Sequence, residues 1–222
     1  MPGPLAYLLT GLASYFIGAI PSGYLLVKLK TGKDVRTMGS GNIGATNVAR
    51  VLGTGWFFPV FLFDFFKGFA PVFWLAPWAA ARWRWADLPA PTVSLAVLCA
   101  LLSLLGHMWP IYLGFRGGKG VATVGGILFA MNWIGALIAI GVWGLVVLLF
   151  RYVSLGSLVA AVSLPIAHQL TAHYVMGRWS GETPWVMTVF LGVAALMVIF
   201  RHRANLKRLL NGTEQKVGKK PA

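Results

Sequence analysis

Charge is what this sequence has least of, and negative charge above all. It holds five Asp and Glu among 222 residues, and charged residues of both signs make up 11%, against roughly 25% in soluble domains. So few charges cannot cover the surface of a water-soluble domain. Hydrophobic residues at 58%, with ten Trp and fourteen Phe, point the same way. The composition is that of an integral membrane protein, and it excludes a soluble enzyme, a disordered tail and a disulfide-stapled secreted domain. The one cysteine, Cys99, lies in an apolar run, which leaves no intrachain disulfide and no cysteine metal cluster. With acids this scarce, two-carboxylate catalysis and a hard-metal cage also lack their residues. His168 and His173 have no Cys, Asp or Glu at ligand spacing, so no metal and no cofactor are expected.

What the chain does have is apolar length and basic charge. A spanning helix needs about 20 mostly apolar residues, and the runs 4–27, 55–80, 91–109, 152–176 and 185–200 meet or approach that. The stretch 121–150 is uncharged throughout and almost wholly apolar. As one helix it would reach about 45 Å, past a hydrocarbon core of roughly 30 Å; otherwise it breaks near Met131-Asn132-Trp133 into two short helices. The net charge of +14 suits anionic lipid or a phosphorylated ligand. Nucleic acid is the weakest candidate, because the basic residues lie between apolar runs and form no arm. Placing the Lys28–Arg50 loop inside puts Arg116, Lys119, Arg151 and the tail from Arg201 inside as well when the chain crosses an odd number of times. Arg82, Arg84 and Arg178 then lie outside. The expected fold is therefore an all-α bundle of seven transmembrane helices, the five runs plus two from 121–150, with the N-terminus outside and the C-terminus cytoplasmic. The whole of 1–222 is expected to be a single polytopic domain, with 210–222 a flexible tail.

Three segments on that inner face can carry chemistry. Met38-Gly39-Ser40-Gly41-Asn42-Ile43-Gly44-Ala45-Thr46-Asn47, running on to Arg50, combines glycines, hydroxyls and a guanidinium. Its backbone amides are expected to converge on an anion, with Arg50 suited to paired phosphate contacts; the alternative is a polar loop whose glycines merely permit turns. Arg116-Gly117-Gly118-Lys119-Gly120 enters a helix, offering bare amides, a helix N-terminus and two cations. In Arg201-His202-Arg203-Ala204-Asn205, His202 and Asn205 share a face if one helix continues through them. The bland reading of that segment is a stop-transfer cluster on anionic headgroups. Ser154 and Ser157 follow Arg151 at another boundary, and Asp64 and Lys67, three apart within a span, read as a buried ion pair before a proton relay.

In this order the segments resemble the bacterial membrane acyl-phosphate:glycerol-3-phosphate acyltransferase family, the PlsY type. Ile20-Pro21-Ser22-Gly23-Tyr24 is similar to its opening signature, and the Gly39–Arg50 loop to its first motif. Gly106-His107 through Thr123 is similar to its second, Arg201-His202-Arg203 with Asn205 to its third, and Asp64-Phe65-Phe66-Lys67-Gly68 to a further segment. Nearly the whole chain is covered. Two departures stand out: Ala204 occupies a place where the family usually shows Glu, and Arg116 and Trp109 replace the more usual Lys and Phe.

The resemblance implies an enzyme of the bacterial cytoplasmic (inner) membrane with its active site on the cytoplasmic face. It would transfer a fatty acyl group from acyl phosphate to glycerol 3-phosphate, giving lysophosphatidic acid and phosphate, the first step of phospholipid synthesis. Its partners would be those two substrates and membrane lipid. Carried over by position, Ser40, His202 and Asn205 would be catalytic. Gly41, Asn42, Asn47, Arg50, Gly117, Gly118, Lys119, Gly120 and Arg201 would bind substrate or phosphate, with a further hydroxyl from Ser154 or Ser157. A transporter of a phosphorylated solute is the reading from another class, and it is disfavoured because the polar motifs gather on one face and trace no path through the bilayer.

Overall fold

The computed structural model describes residues 3–83, 91–175 and 184–218. Arg84 and Arg178, expected on the outer face, and the tail beyond Gly218 lie outside the described residues. Every regular element among the described residues is helical. The chain divides into two compact units, Met1–Met131 and Asn132–Ala222.

In the first unit, α1 (Gly3–Ala19) stops before Pro21, which has no N–H to continue the ladder, and α2 (Ser22–Thr31) restarts the chain. Gly32, at φ +70, closes α2 by donating to the Lys28 carbonyl. A loop leads to the short α3 (Ala45–Leu52). Next, α4 (Phe57–Ala70) passes through a π-helical turn at Pro71–Leu75 into α5 (Ala76–Arg82). Pro71 cannot donate back to Lys67, and the wider turn absorbs that gap. The unit is completed by α6 (Pro91–Met108) and α7 (Val121–Met131).

Glycines let these helices meet backbone to backbone, as small residues do where apolar surface alone gives no driving force. A Cβ at Gly18 would strike the Ser103 carbonyl and one at Gly106 the Tyr15 carbonyl, so α1 and α6 are in direct contact. Gly68 against Thr123 and Gly126 against Phe65 fix α4 on α7 in the same way.

In the second unit, α8 (Trp133–Phe150) is capped by Asn132, whose side-chain oxygen accepts from the Gly135 amide at 2.8 Å. Arg151, at φ +63, turns the chain into α9 (Val153–Val175), which packs on both α8 and α10 (Pro184–Arg201). A short α11 (Arg203–Leu210) follows.

The break expected near Met131-Asn132-Trp133 is present, at Asn132. The seven-span expectation fares differently. Among the described residues five helices are long and apolar enough to cross: Pro4–Thr31, Thr54–Arg82, Thr92–Leu113, Trp133–Phe150 and Val153–Tyr174. A sixth is counted if Trp185–Arg201 and Arg203–Leu210, bent by 60°, form one span. The remaining apolar helix, α7, has 11 residues and a length of about 16 Å, roughly half the hydrocarbon core.

Candidate active site

The loop before α3 is organised by one buried side chain. Asn47, 2% exposed, accepts from the Ser40 amide at 2.7 Å through Oδ1. Its Nδ2 donates to the Met38 and Asn42 carbonyls at 3.0 and 2.8 Å. Gly39, at φ +55, brings its Cα so close to Asn47 Oδ1 that no side chain fits there. The Gly41 amide donates to the Met38 carbonyl at 2.9 Å, and the Gly44 amide to Asn42 Oδ1 at 2.9 Å. The anion cradle expected from these amides is therefore corrected: those of Ser40, Gly41 and Gly44 are engaged inside the loop, as a tight turn requires of its donors. Asn42 and Asn47 likewise work on the loop itself. Outward there remain the exposed side chains of Ser40 and Arg50. Arg36 ties the loop down by a 2.7 Å ion pair with Asp34 and a 3.2 Å bond to the Leu113 carbonyl. The guanidinium bonded to Asp34 holds that carboxyl below its ordinary value.

The same correction applies between α6 and α7. The Gly117 amide donates to the Met108 carbonyl at 3.2 Å and the Gly118 amide to the His107 carbonyl at 3.1 Å. These amides finish α6 and are not bare. Gly118 lies directly on the His107 ring, where a Cβ would meet Nε2, and Gly120, at φ +84, lies on Met108 and Leu104. What the turn presents is Lys119, half-buried, just ahead of the first turn of α7. The opening amides of a helix lack partners within it and favour an anion.

In the second unit the chain does not continue as one helix through the third motif. It breaks at His202, φ −94 and ψ 5, so the shared face expected for His202 and Asn205 is not that of a continuous helix. His202 is 2% exposed and its Nδ1 lies 2.8 Å from the Val198 carbonyl. A carbonyl only accepts, so Nδ1 carries the proton and Nε2 is the basic nitrogen of the neutral ring. One turn on, Asn205 donates from Nδ2 to Glu214 Oε1 at 2.6 Å. Ser154 Oγ donates to the same oxygen at 2.7 Å, and Arg208 Nε to Oε2 at 2.6 Å. Burial pushes the Glu214 carboxyl up, yet these three donors outweigh it and leave it below its ordinary value. Ser157 instead donates to the Val153 carbonyl of its own helix at 2.8 Å. Of the two serines, the structure brings Ser154 to Asn205.

Glu214 is the residue that sequence reasoning missed, and scarcity was its signal: few acids are present, and a carboxylate among so many cations rarely stands idle. The segment after it folds back, with the Val217 amide donating to the Arg151 carbonyl at 2.8 Å and Arg151 Nη2 to the Val217 carbonyl at 3.1 Å. Arg201 is half-buried at the end of α10. Among the described residues no group of three or more His, Cys, Asp or Glu is placed to hold a metal ion.

Comparison with known proteins bears on what this arrangement does. A family-wide sequence profile described as Glycerol-3-phosphate acyltransferase matches residues 8–212. Proteins named glycerol-3-phosphate acyltransferase are similar along nearly their whole length. That of Thermosynechococcus vestitus is 41% identical over 95% of this chain and 94% of its own. That of Brucella anthropi is 39% identical over 99% and 98%. Two crystal structures of PlsY (YgiH), an integral membrane glycerol 3-phosphate acyltransferase, share the fold. The glycerol 3-phosphate form has a TM-score of 0.78 at 37% identity over 96% of each chain. The lysophosphatidic acid form has a TM-score of 0.75 at 35% identity over 96% of this chain and 95% of the other.

Proposed function

The chain belongs to the glycerol-3-phosphate acyltransferase family, and from that membership we propose that it moves a fatty acyl group from an acyl phosphate to a hydroxyl of glycerol 3-phosphate. As a family member it is an acyltransferase of phospholipid synthesis. The observation that supports the acceptor and product is the pair of forms in which its structural relative is known, one with glycerol 3-phosphate and one with lysophosphatidic acid; the acyl-phosphate donor is inferred from the motifs. Such a pair brackets a single acyl transfer.

The hydroxyl oxygen attacks the carbonyl carbon of the mixed anhydride. The bond from that carbon to the phosphate oxygen breaks, and inorganic phosphate leaves with the electron pair. An anhydride this activated needs no nucleophilic side chain and no resident metal, so positioning and charge stabilisation supply the acceleration. The exposed Ser40 and Arg50 of the first loop, and Lys119 ahead of α7, are assigned to the phosphates and the developing oxyanion. Gly117, Gly118 and Gly120 shape the turn that presents Lys119, and Gly41, Asn42 and Asn47 shape the loop that presents Ser40. Ser154, Asn205 and Arg201 are assigned to substrate contact in the second unit. The hydroxyl proton passes either to Nε2 of His202 or to a substrate phosphate oxygen. His202→Gln separates the two: a loss of about a hundredfold or more in kcat marks His202 as the base, and a small loss marks the phosphate.

The basic residues favour a multi-pass protein of the bacterial inner membrane, with the N-terminus outside and the motifs and C-terminus cytoplasmic. The odd number of crossings this needs assigns the seventh, by count of helices beyond the long ones, to α7. Single cysteines at Ser40, Arg116 and Thr213, in a Cys99→Ala background, are then expected to react only from the cytoplasmic side; reaction at Thr213 from outside would exclude an odd count.

The reaction itself is tested with purified protein, acyl phosphate and glycerol 3-phosphate, following release of phosphate and formation of lysophosphatidic acid. Equal product from acyl-CoA, in a preparation free of acyl phosphate, would overturn the choice of donor.

A further inference from the structure

Beneath the Gly117–Gly120 turn lies a polar cluster that the proposed reaction does not use. Asp64 and Lys67, on adjacent turns of α4, are 4% and 6% exposed and form a 2.7 Å ion pair. Asp64 Oδ1 is its hub. Ser22, at the start of α2, donates to that oxygen at 2.7 Å, and His107 Nδ1 lies 3.8 Å from it. Lys67 Nζ donates onward to the Ile20 carbonyl at 3.1 Å, at the break between α1 and α2. Buried charges in a spanning helix are costly and persist where they are paired or have work to do.

The position of His107 bears on what that work is. One edge of its ring faces Asp64. The other, at Nε2, lies against Gly118 so closely that a Cβ there would overlap it, and its backbone carbonyl accepts from the Gly118 amide at 3.1 Å. The turn that presents Lys119 therefore rests on His107 through both ring and backbone, and on its other side the ring's Nδ1 faces a buried carboxylate at 3.8 Å, an electrostatic contact beyond hydrogen-bond distance. A ring released from Asp64 would turn, and Gly118 would move with it.

We propose that Asp64 and Lys67 are positioning residues for the Gly117–Gly120 turn, which they hold through His107. Asp64 supplies the orienting charge. Lys67 pairs with that carboxylate at 2.7 Å and ties it to the Ile20 carbonyl. The inference rests on the reading that this turn binds the phosphate of glycerol 3-phosphate, a part of the substrate remote from the reacting carbonyl. Misplacing it weakens ground state and transition state alike, so KM is the parameter expected to move.

The test replaces both charges at once, because removing either alone would strand the other in the bilayer. Asp64→Asn with Lys67→Met keeps an acceptor for Ser22 and most of the lysine's volume. It is expected to purify with wild-type thermal stability, with KM for glycerol 3-phosphate raised roughly tenfold and kcat held within about twofold. Asp64→Glu, which keeps the charge and shifts the carboxylate by one methylene, is the second variant and is expected to raise KM in the same sense. A stable variant with unchanged KM overturns the proposal, and so does misfolding of both, since the pair would then serve the fold alone. Lys119→Ala is run beside them. If its KM stays at the wild-type value, it is the substrate assignment of the turn that fails, whatever the Asp64 variants do.

Discussion

Replacing Glu214 by Gln tests the second unit's polar cluster through a change of one atom. The carboxylate accepts from three donors: Ser154 and Asn205 at Oε1 and Arg208 at Oε2. An amide has one oxygen. If it faces Ser154 and Asn205, its NH2 confronts Arg208 Nε, donor against donor; reversed, it confronts the two buried groups instead. The first arrangement is the cheaper, because the Arg208 side chain is 39% exposed and can turn to water, a loss of about 1 kcal/mol after screening. The two surviving bonds lose their charge assistance, about 0.5–1 kcal/mol each. The sum is about 2–3 kcal/mol. Glu214→Ala would leave both buried donors without this acceptor and cost about 3–5 kcal/mol.

Thermal unfolding in detergent, wild type against Glu214→Gln, measures the difference. Its pH dependence is fixed in sign. The folded carboxyl sits below its ordinary value of 4.5, so its contribution is fully present above that pH and is lost as pH falls through the lower, folded value. Wild type and Glu214→Gln should stand apart above about pH 4.5, draw together as pH falls below it, and meet only below the lower, folded value. Equal stability at neutral pH would refute the picture of a carboxylate locked by three donors.

Arg50→Ala and Lys119→Ala should each weaken substrate binding by about ten- to 150-fold, the range expected for one charge-assisted phosphate contact. Arg50→Lys should rescue poorly, for want of a planar two-donor face, while Arg82→Ala should leave kinetics unchanged and so control for net charge. Ser154→Ala should lower activity and stability by removing one of Glu214's donors, whereas Ser157→Ala should be nearly silent, its hydroxyl serving only the Val153 carbonyl. Gly118→Ala should raise KM for glycerol 3-phosphate, because the added methyl displaces the His107 ring; unchanged KM would mean that the ring yields without moving the turn.

Class, helical architecture and the break at Asn132 were legible in the sequence, because apolar length and the scarcity of charge register directly in composition. Asn132 marks that break as a polar residue in an otherwise apolar stretch, and the structure makes it the cap of α8. The crossings were less legible. Length alone does not separate α7, with 11 residues, from a full span, since the run 121–150 shows no charge at which to divide it. The motifs named candidate segments, but not which atoms in them face outward. Nothing in Gly-Ser-Gly-Asn states that Asn47, from the following helix, reaches back to take the Ser40 amide. Nor does spacing announce a break at His202 or a carboxylate arriving from Glu214, because both depend on how the chain turns after α10.

The engaged amides change what the glycines are for. Had the first loop and the Gly117–Gly120 turn offered their N–H groups to an anion, each would be incompletely satisfied until substrate arrived, at a cost of about 1–3 kcal/mol for every donor withheld from water. Here the donors of Ser40, Gly41, Gly117 and Gly118 already have acceptors within the chain. The glycines instead permit close approach, Gly39 to Asn47 and Gly118 to His107. Turns closed on themselves in this way are rigid before substrate binds, and rigidity is what a point charge such as Lys119 lacks on its flexible stem. On the proposed function, backbone geometry supplies placement, and recognition is assigned to the side chains of Ser40, Arg50 and Lys119. The order is the reverse of a phosphate nest, in which glycine amides are themselves the ligands.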